Sequence, residues 1–222
     1  MAHRGASARE TENSLAAFRT AKSLGADAVE LDIHATRDGQ LLVHHDESIA
    51  GQAIPASSFS QLRAHRLPNG EPIPTLAEAL DVIAPMIAFV EVKTLNGSFD
   101  EALLAAFDGA PDPSKIAVHS FDHRIVKRLG SRRHDLARGV LSASYPIDAP
   151  RMMRDAGATA LWQHASLVDG ALVRLVHDAG GVVYPWTVDQ PDDMRRLLAE
   201  GVDGLCSNHP DKARRAVDSP VS

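Results

Sequence analysis

The sequence of 222 residues predicts an α/β chain, a single (β/α)₈ TIM barrel spanning 1–222 with a short excursion after the second strand, at about 47–74. Two observations lead to that class. Short apolar runs of β type alternate with segments of helical spacing along the whole length, the pattern of βα units on a parallel sheet. Eight such runs can be counted, which is the number that closes a barrel. With 44% hydrophobic residues, the chain can also bury one sizeable core.

The elements follow in order. The first strand is very short, over 2–4, and leads to a helix over 12–24 in which Leu15, Phe18 and Leu24 share a face. Asn13 and Ser14 are its start signals. The second strand covers 28–33, and Asp38-Gly39 favours a tight turn into a small hairpin over 41–45. Residues 47–74 are rich in Ser, Pro, Gly and Ala, and read as an excursion carrying one short helix near 60–65. From Pro74-Thr75 onward the alternation is regular. Helices over 76–83, 99–107, 123–129, 150–156, 170–179, 191–199 and 211–217 alternate with strands over 87–93, 116–120, 137–141, 159–162, 182–186 and 204–206.

A formal charge of -6 without a basic block argues against nucleic acid as a partner, because phosphate backbones are held mainly by clustered Lys and Arg. Phosphate chemistry in such a field needs a local positive centre, a metal ion or a placed Arg or Lys. The single cysteine, Cys206, excludes an internal disulfide framework and fits a reducing compartment. No window approaches the ~18 consecutive apolar residues of a membrane span. Met1-Ala2 run straight into His3-Arg4-Gly5 without an apolar leader, so the expected location is cytoplasmic. The sequence does not indicate an oligomeric state.

Active sites of such barrels lie at the C-terminal ends of the strands. Strand one ends in His3-Arg4, the second carries Glu30-Leu31-Asp32 and the third carries Glu91-Val92-Lys93. Side chains alternate along a strand, so Glu30 and Asp32 share a face, as do Glu91 and Lys93. Three carboxylates converging at a barrel mouth repel one another unless a cation binds them, and oxygen donors suit Mg²⁺, Ca²⁺ or Mn²⁺ better than Zn²⁺. The alternative is a structural network in which Arg4 or Lys93 satisfies the carboxylates. His3 and His45 are the acid and base candidates, since imidazole both takes and gives a proton near neutral pH, and Asp46 could orient a neighbour. His119 and His164 fall near strand ends and could line the pocket. His34, His44, His65, His123, His134 and His177 are read as structural.

The ordered segments His3-Arg4-Gly5, Glu12-Asn13-Ser14, 25–32 ending in Glu30-Leu31-Asp32, Thr36-Arg37-Asp38-Gly39 and Val43-His44-His45-Asp46 resemble the signature of the glycerophosphodiester phosphodiesterase family. The similarity continues through Ile73-Pro74-Thr75-Leu76, Glu91-Val92-Lys93, Ser120-Phe121, Trp186-Thr187-Val188-Asp189 and 201–204, covering nearly the whole chain. It implies a metal-dependent enzyme on a (β/α)₈ barrel that cleaves glycerophosphodiesters to glycerol 3-phosphate and an alcohol. His3 and His45 would be acid and base, with Glu30, Asp32 and Glu91 holding the divalent ion. Arg4 and Lys93 would bind phosphate, Asn13 would support the site, and Trp186 would wall the glycerol or alcohol side. The partner would be a small-molecule phosphodiester. Which histidine is the acid, and whether water attacks directly or a cyclic phosphate intervenes, stay open.

Three departures from the family's pattern stand out: Thr11 where Pro is common, a short excursion, and Cys206-Ser207-Asn208 in the last strand. The short excursion leaves the leaving alcohol undefined. The loop 207–209 could aim backbone N–H groups at a phosphate or simply cap the following helix. Alternative readings are a lysophospholipase-D-like activity on lysolipids, a metal-dependent sugar isomerase barrel, or a non-enzymatic barrel that binds metal and phosphate.

Overall fold

The computed structural model describes residues 1–219. Its strands are β1 (Ala2–His3), β2 (Ala28–Ala35), β3 (Leu41–Val43), β4 (Ser48–Ile49), β5 (Gln52–Ala53), β6 (Ile87–Thr94), β7 (Ile116–Ser120), β8 (Ala137–Ser142), β9 (Ala160–His164) and β10 (Val182–Trp186). The helices are α1 (Leu15–Ser23), α2 (Phe59–Arg63), α3 (Leu76–Ile83), α4 (Asp100–Asp108), α5 (His123–Arg132), α6 (Ala149–Ala156), α7 (Gly170–Asp178), α8 (Pro191–Ala199) and α9 (Pro210–Asp218). A parallel sheet in the order β1-β2-β6-β7-β8-β9-β10 curls into the barrel wall, and β3 pairs antiparallel with β2.

The pleat sorts β2 and β6 into two faces. Val29, Leu31, Ile33, Val90 and Val92 point outward into a core shared with Phe18, Leu80 and Phe107 from the covering helices. A second outer core, around Met153, Leu172, Val176 and Leu197, lies under α6 to α8. Each fully buried Leu, Val or Phe there contributes about 1.5–3 kcal/mol. The barrel interior is filled by Ala28, Phe89, Ala117, Trp162 and Tyr184. Gly139 makes room for that filling, because a Cβ there would sit 2.7 Å from the Trp162 ring.

Helix starts are chemically marked. Ser14 caps α1, Thr75 and Glu78 form a capping box on α3, and Asp122, Asp148 and Asp169 cap α5, α6 and α7 through their carboxylates. Buried Asp100 on α4 receives two hydrogen bonds from Arg128 on α5, at 2.7 and 3.0 Å, tying those neighbours together.

The structure departs from the expected elements at three places. No eighth strand forms over 204–206. Residues 203–207 instead seal the gap between β10 and β1 by separate hydrogen bonds: Asp203 N–H to Val183 O (3.1 Å), Cys206 N–H to Pro185 O (3.1 Å) and His3 N–H to Ser207 O (2.9 Å). A ladder needs a run of donors and acceptors on both sides, whereas β1 has two residues and Pro185 has no N–H. At the first strand, Arg4 leaves the extended conformation, with φ +53°. Finally, α1 begins at Leu15 rather than near residue 12, because Asn13 adopts φ +55° and its side chain is used elsewhere.

Candidate active site

The parallel register sets out the site. His3 lies beside Glu30, Asp32 beside Glu91, and Glu91 beside His119, so four neighbouring strands, β1, β2, β6 and β7, deliver these side chains side by side at the barrel mouth. Arg4, one residue beyond β1, is turned into this group by its left-handed backbone. That conformation costs a non-glycine residue about 1–2 kcal/mol. Two hydrogen bonds hold it, the Arg4 N–H donating to Glu30 Oε2 (3.1 Å) and the Asn13 N–H donating to the Arg4 carbonyl (3.0 Å). Gly5 follows at φ +82°, and a Cβ there would meet the Ala17 backbone at 2.7 Å, so α1 packs directly against this turn.

Each cation is shared by two carboxylates. The Arg4 guanidinium contacts Glu12 (2.9 Å) and Asp32 (3.1 Å), and the Lys93 ammonium contacts Asp32 (3.0 Å) and Glu91 (2.7 Å). Asn13 Nδ2 also donates to Asp32 Oδ2 at 2.8 Å. Burial alone would raise the Asp32 pKa, but Lys93, Arg4 and the Asn13 hydrogen bond outweigh it and hold the group at about 2. Glu30 and Glu91 fare differently. Burial, reinforced by the charge of Asp32, pushes each up to about 7. His119 is driven down to about 4 by burial and is neutral at physiological pH. Its ring stacks on Trp162, with centroids 4.2 Å apart and planes 8° apart.

Three inward carboxylates and two shared cations leave the mouth short of positive charge. Donor atoms of Glu30, Glu91 and His119 lie within 4.8 Å of one another and could hold a metal ion. Two atoms of the ion network, Asp32 Oδ1 and Arg4 Nε, are buried without an aligned hydrogen bond, and His119 Nδ1 has no partner. Two carboxylates and an imidazole with one unpartnered nitrogen, converging within 4.8 Å, fit a divalent cation.

Both expected acid–base histidines line one cavity of about 260 Å³, together with Glu30, Glu91 and Lys93. His45 Nδ1 faces the Asp46 carboxylate at 2.9 Å. Its backbone carbonyl is held by the ring of buried His34, at 3.2 Å from Nε2. His3 Nδ1 faces the Asn208 side-chain oxygen at 2.7 Å, and its Nε2 lies 4.0 Å from Glu30 Oε2. Trp186 lines the same cavity in an edge-to-face pair with Phe121, centroids 5.5 Å apart, and His164 packs edge-on at 5.3 Å.

Sequence reasoning placed Asn208 in a loop that presents backbone N–H groups or caps a helix. The structure uses its side chain against His3, and uses Asp189 to hold Asn208. Both residues stand in segments singled out for their motif, but only the seam between β10 and β1 shows what they touch. Glu12, likewise part of a motif, is the partner of Arg4.

A barrel mouth that gathers carboxylates, paired cations and imidazole rings around one small cavity defines an enzyme site for a small molecule. Comparison with known proteins narrows the class. The chain matches the Glycerophosphoryl diester phosphodiesterase family over residues 3–212, and it belongs to that family. It is 29% identical over 229 residues to the "Glycerophosphodiester phosphodiesterase" of Caldanaerobacter subterraneus subsp. tengcongensis, covering 95% of this chain and 94% of that one. It is 32% identical over 235 residues to the "Probable glycerophosphodiester phosphodiesterase 2" of Mycobacterium tuberculosis, covering 96% and 88%. Its fold is similar to that of an Oleispira antarctica phosphodiesterase solved with the product sn-glycerol-3-phosphate, with a TM-score of 0.92, 24% identity, and coverage of 98% and 96%.

Proposed function

We propose that the chain hydrolyses glycerophosphodiesters to glycerol 3-phosphate and an alcohol. The observation that carries this reading is the family match over residues 3–212 joined to one cavity lined by both His3 and His45. The cavity, at about 260 Å³, lies just below the roughly 300–1,000 Å³ of most small-molecule sites, which favours a compact polar diester over a lysolipid.

Glu30, Glu91 and Asp32 would hold a divalent cation, with His119 as a further donor beside them. When bound, such an ion supplies Lewis-acid polarisation of a phosphoryl oxygen and of an attacking hydroxyl. The proton steps belong to the histidines. His3 rests on a neutral amide oxygen and leaves Nε2 free, which suits it to take the proton from the attacking water or glycerol hydroxyl. His45 rests on the Asp46 carboxylate, which orients its ring and suits it to give a proton to the departing alcohol oxygen. As the new P–O bond forms and the bond to the alcohol breaks, Arg4 and Lys93 offset charge on the non-bridging oxygens. Trp186 and Phe121 form an apolar wall beside that centre and exclude water from it.

The test is release of glycerol 3-phosphate from a panel of glycerophosphodiesters, with lysolipids included, after EDTA treatment and after restoring Mg²⁺, Ca²⁺ or Mn²⁺. Release from diesters only with metal restored is expected. A folded, metal-binding protein that cleaves no diester under any metal would overturn the proposal.

A further inference from the structure

The ring of His3 is held by a chain of polar groups that starts 205 residues away in sequence. Asp189, on the loop after β10, accepts three hydrogen bonds. Its Oδ1 accepts from the Asn208 N–H (2.8 Å) and from the Ser207 hydroxyl (3.0 Å), and its Oδ2 accepts from Asn208 Nδ2 (2.7 Å). A carboxylate at neutral pH offers only acceptors, so the amide nitrogen of Asn208 must face it. The amide oxygen of Asn208 must then face His3 Nδ1, at 2.7 Å, and Ser7 Oγ, also at 2.7 Å. An amide oxygen donates nothing, so His3 Nδ1 must carry the proton. Ser7 Oγ also lies 2.8 Å from the His3 carbonyl, so its single proton is shared between those two acceptors.

We propose that Asp189 and Asn208 are positioning residues that fix a His3 proton on Nδ1 and so direct Nε2 to the reaction. The inference rests on the reading of His3 as the proton acceptor. It adds what fixes that role. Turning the Asn208 amide over would set oxygen against the Asp189 carboxylate and donor against donor at His3, so the whole chain has one consistent polarity. A neutral amide orients the His3 ring, whereas a carboxylate, that of Asp46, orients the ring of His45. The two histidines thus have unlike partners.

The polarity can be reversed by one atom. In Asp189→Asn the new amide keeps its oxygen for the Asn208 N–H and turns a donor toward Asn208 Nδ2. That turns over the Asn208 amide and presents a donor to His3. The double variant Asp189→Asn/Asn208→Asp restores an acceptor at His3 Nδ1. The experiment reads the His3 ring nitrogens by ¹⁵N NMR in the full chain without substrate, assigned by the signal lost in His3→Ala, and then measures kcat and KM. Expected are an Nδ1–H ring in the unaltered protein, an Nε2–H ring in Asp189→Asn with kcat lowered about tenfold or more and KM within about threefold, and recovery of the Nδ1–H ring in the double variant. Asn208→Ser, which removes the amide, serves as a second variant if Asp189→Asn does not fold. It is expected to show a mixture of both ring forms and a lower kcat. An Nδ1–H ring in Asp189→Asn, or a reversed ring with kcat unchanged, overturns the proposal. Unchanged turnover in His3→Ala would instead overturn the proton-acceptor reading, and the NMR result separates the two because it needs no turnover.

Discussion

Metal binding to this site should be driven by displacement of protons, and the structure sets the amount. In the metal-free protein Glu30 and Glu91 titrate at about 7, whereas Asp32 is ionised and His119 neutral over the useful pH range. A cation bound by both glutamates requires both to be ionised. With two groups at pKa about 7, binding releases roughly 1.8 protons at pH 6, about one at pH 7 and roughly 0.2 at pH 8. The apparent affinity carries the same factor. Each site is about 11-fold impeded at pH 6 and about 1.1-fold at pH 8, so affinity should fall about 100-fold, or about 2.7 kcal/mol, from pH 8 to pH 6. Calorimetric titration with Mn²⁺ in two buffers of different ionisation enthalpy measures the proton count directly. Glu30→Gln should remove about half of the release at pH 6. Release below about one proton at pH 6 in the unaltered protein, or an affinity that is flat between pH 6 and 8, would refute the claim that these two carboxylates hold the cation.

The same shifts make a stability prediction of definite sign. Folded-state values above the ordinary carboxylate value mean that the metal-free fold loses stability as pH rises from about 4.5 through about 7, by up to a few kcal/mol, and urea midpoints with EDTA should follow that course while saturating metal flattens it. His3→Ala and His45→Ala should each lower turnover by about 100-fold or more with little change in Tm, since both rings are partly solvent-exposed; wild-type rates in both would remove the acid–base scheme. Gly5→Ala should cost about 3 kcal/mol or more in urea unfolding, combining a left-handed backbone with a Cβ 2.7 Å from Ala17, and an unchanged midpoint would mean that α1 does not press on this turn. Lys93→Met should destabilise the metal-free fold by about 3 kcal/mol, because it leaves Asp32 and Glu91 facing each other, and added metal should recover part of that loss.

Much of the barrel was legible because its two periodicities are local. Alternation in 28–33 and 87–93 separates an outward Val, Leu and Ile set from an inward set that includes Glu30, Asp32 and Glu91, and the strands carry that sorting intact into the wall. Helices with side-chain caps began close to their marked positions, as Thr75 and Asp169 show. Of the two start signals for α1, Ser14 caps the helix and Asn13 does not. Asn13 resembles a cap in sequence, but its amide is bound to Asp32, 19 residues onward, and only folding brings that carboxylate near. The absent eighth strand has a similar cause. The apolar run at 204–206 carries a strand's composition, yet a strand is defined by what its neighbours donate and accept, and Pro185 and the two-residue β1 offer too little.

By itself the sequence determined which residue types stand at the ends of which strands, and therefore the class of chemistry: inward carboxylates, a lysine and an arginine among them, and histidines within reach. Those follow from side-chain alternation and from motifs confined to a few residues. The tertiary structure alone decided how each charge is matched. It set Asp32 against both cations, Glu91 against Lys93 alone and Glu30 against neither, pushed both glutamates up to about 7, and set an amide behind His3 and a carboxylate behind His45. Such assignments depend on burial and on distances of about 3 Å between residues far apart in the chain, and electrostatic energies at that range change with every partner added.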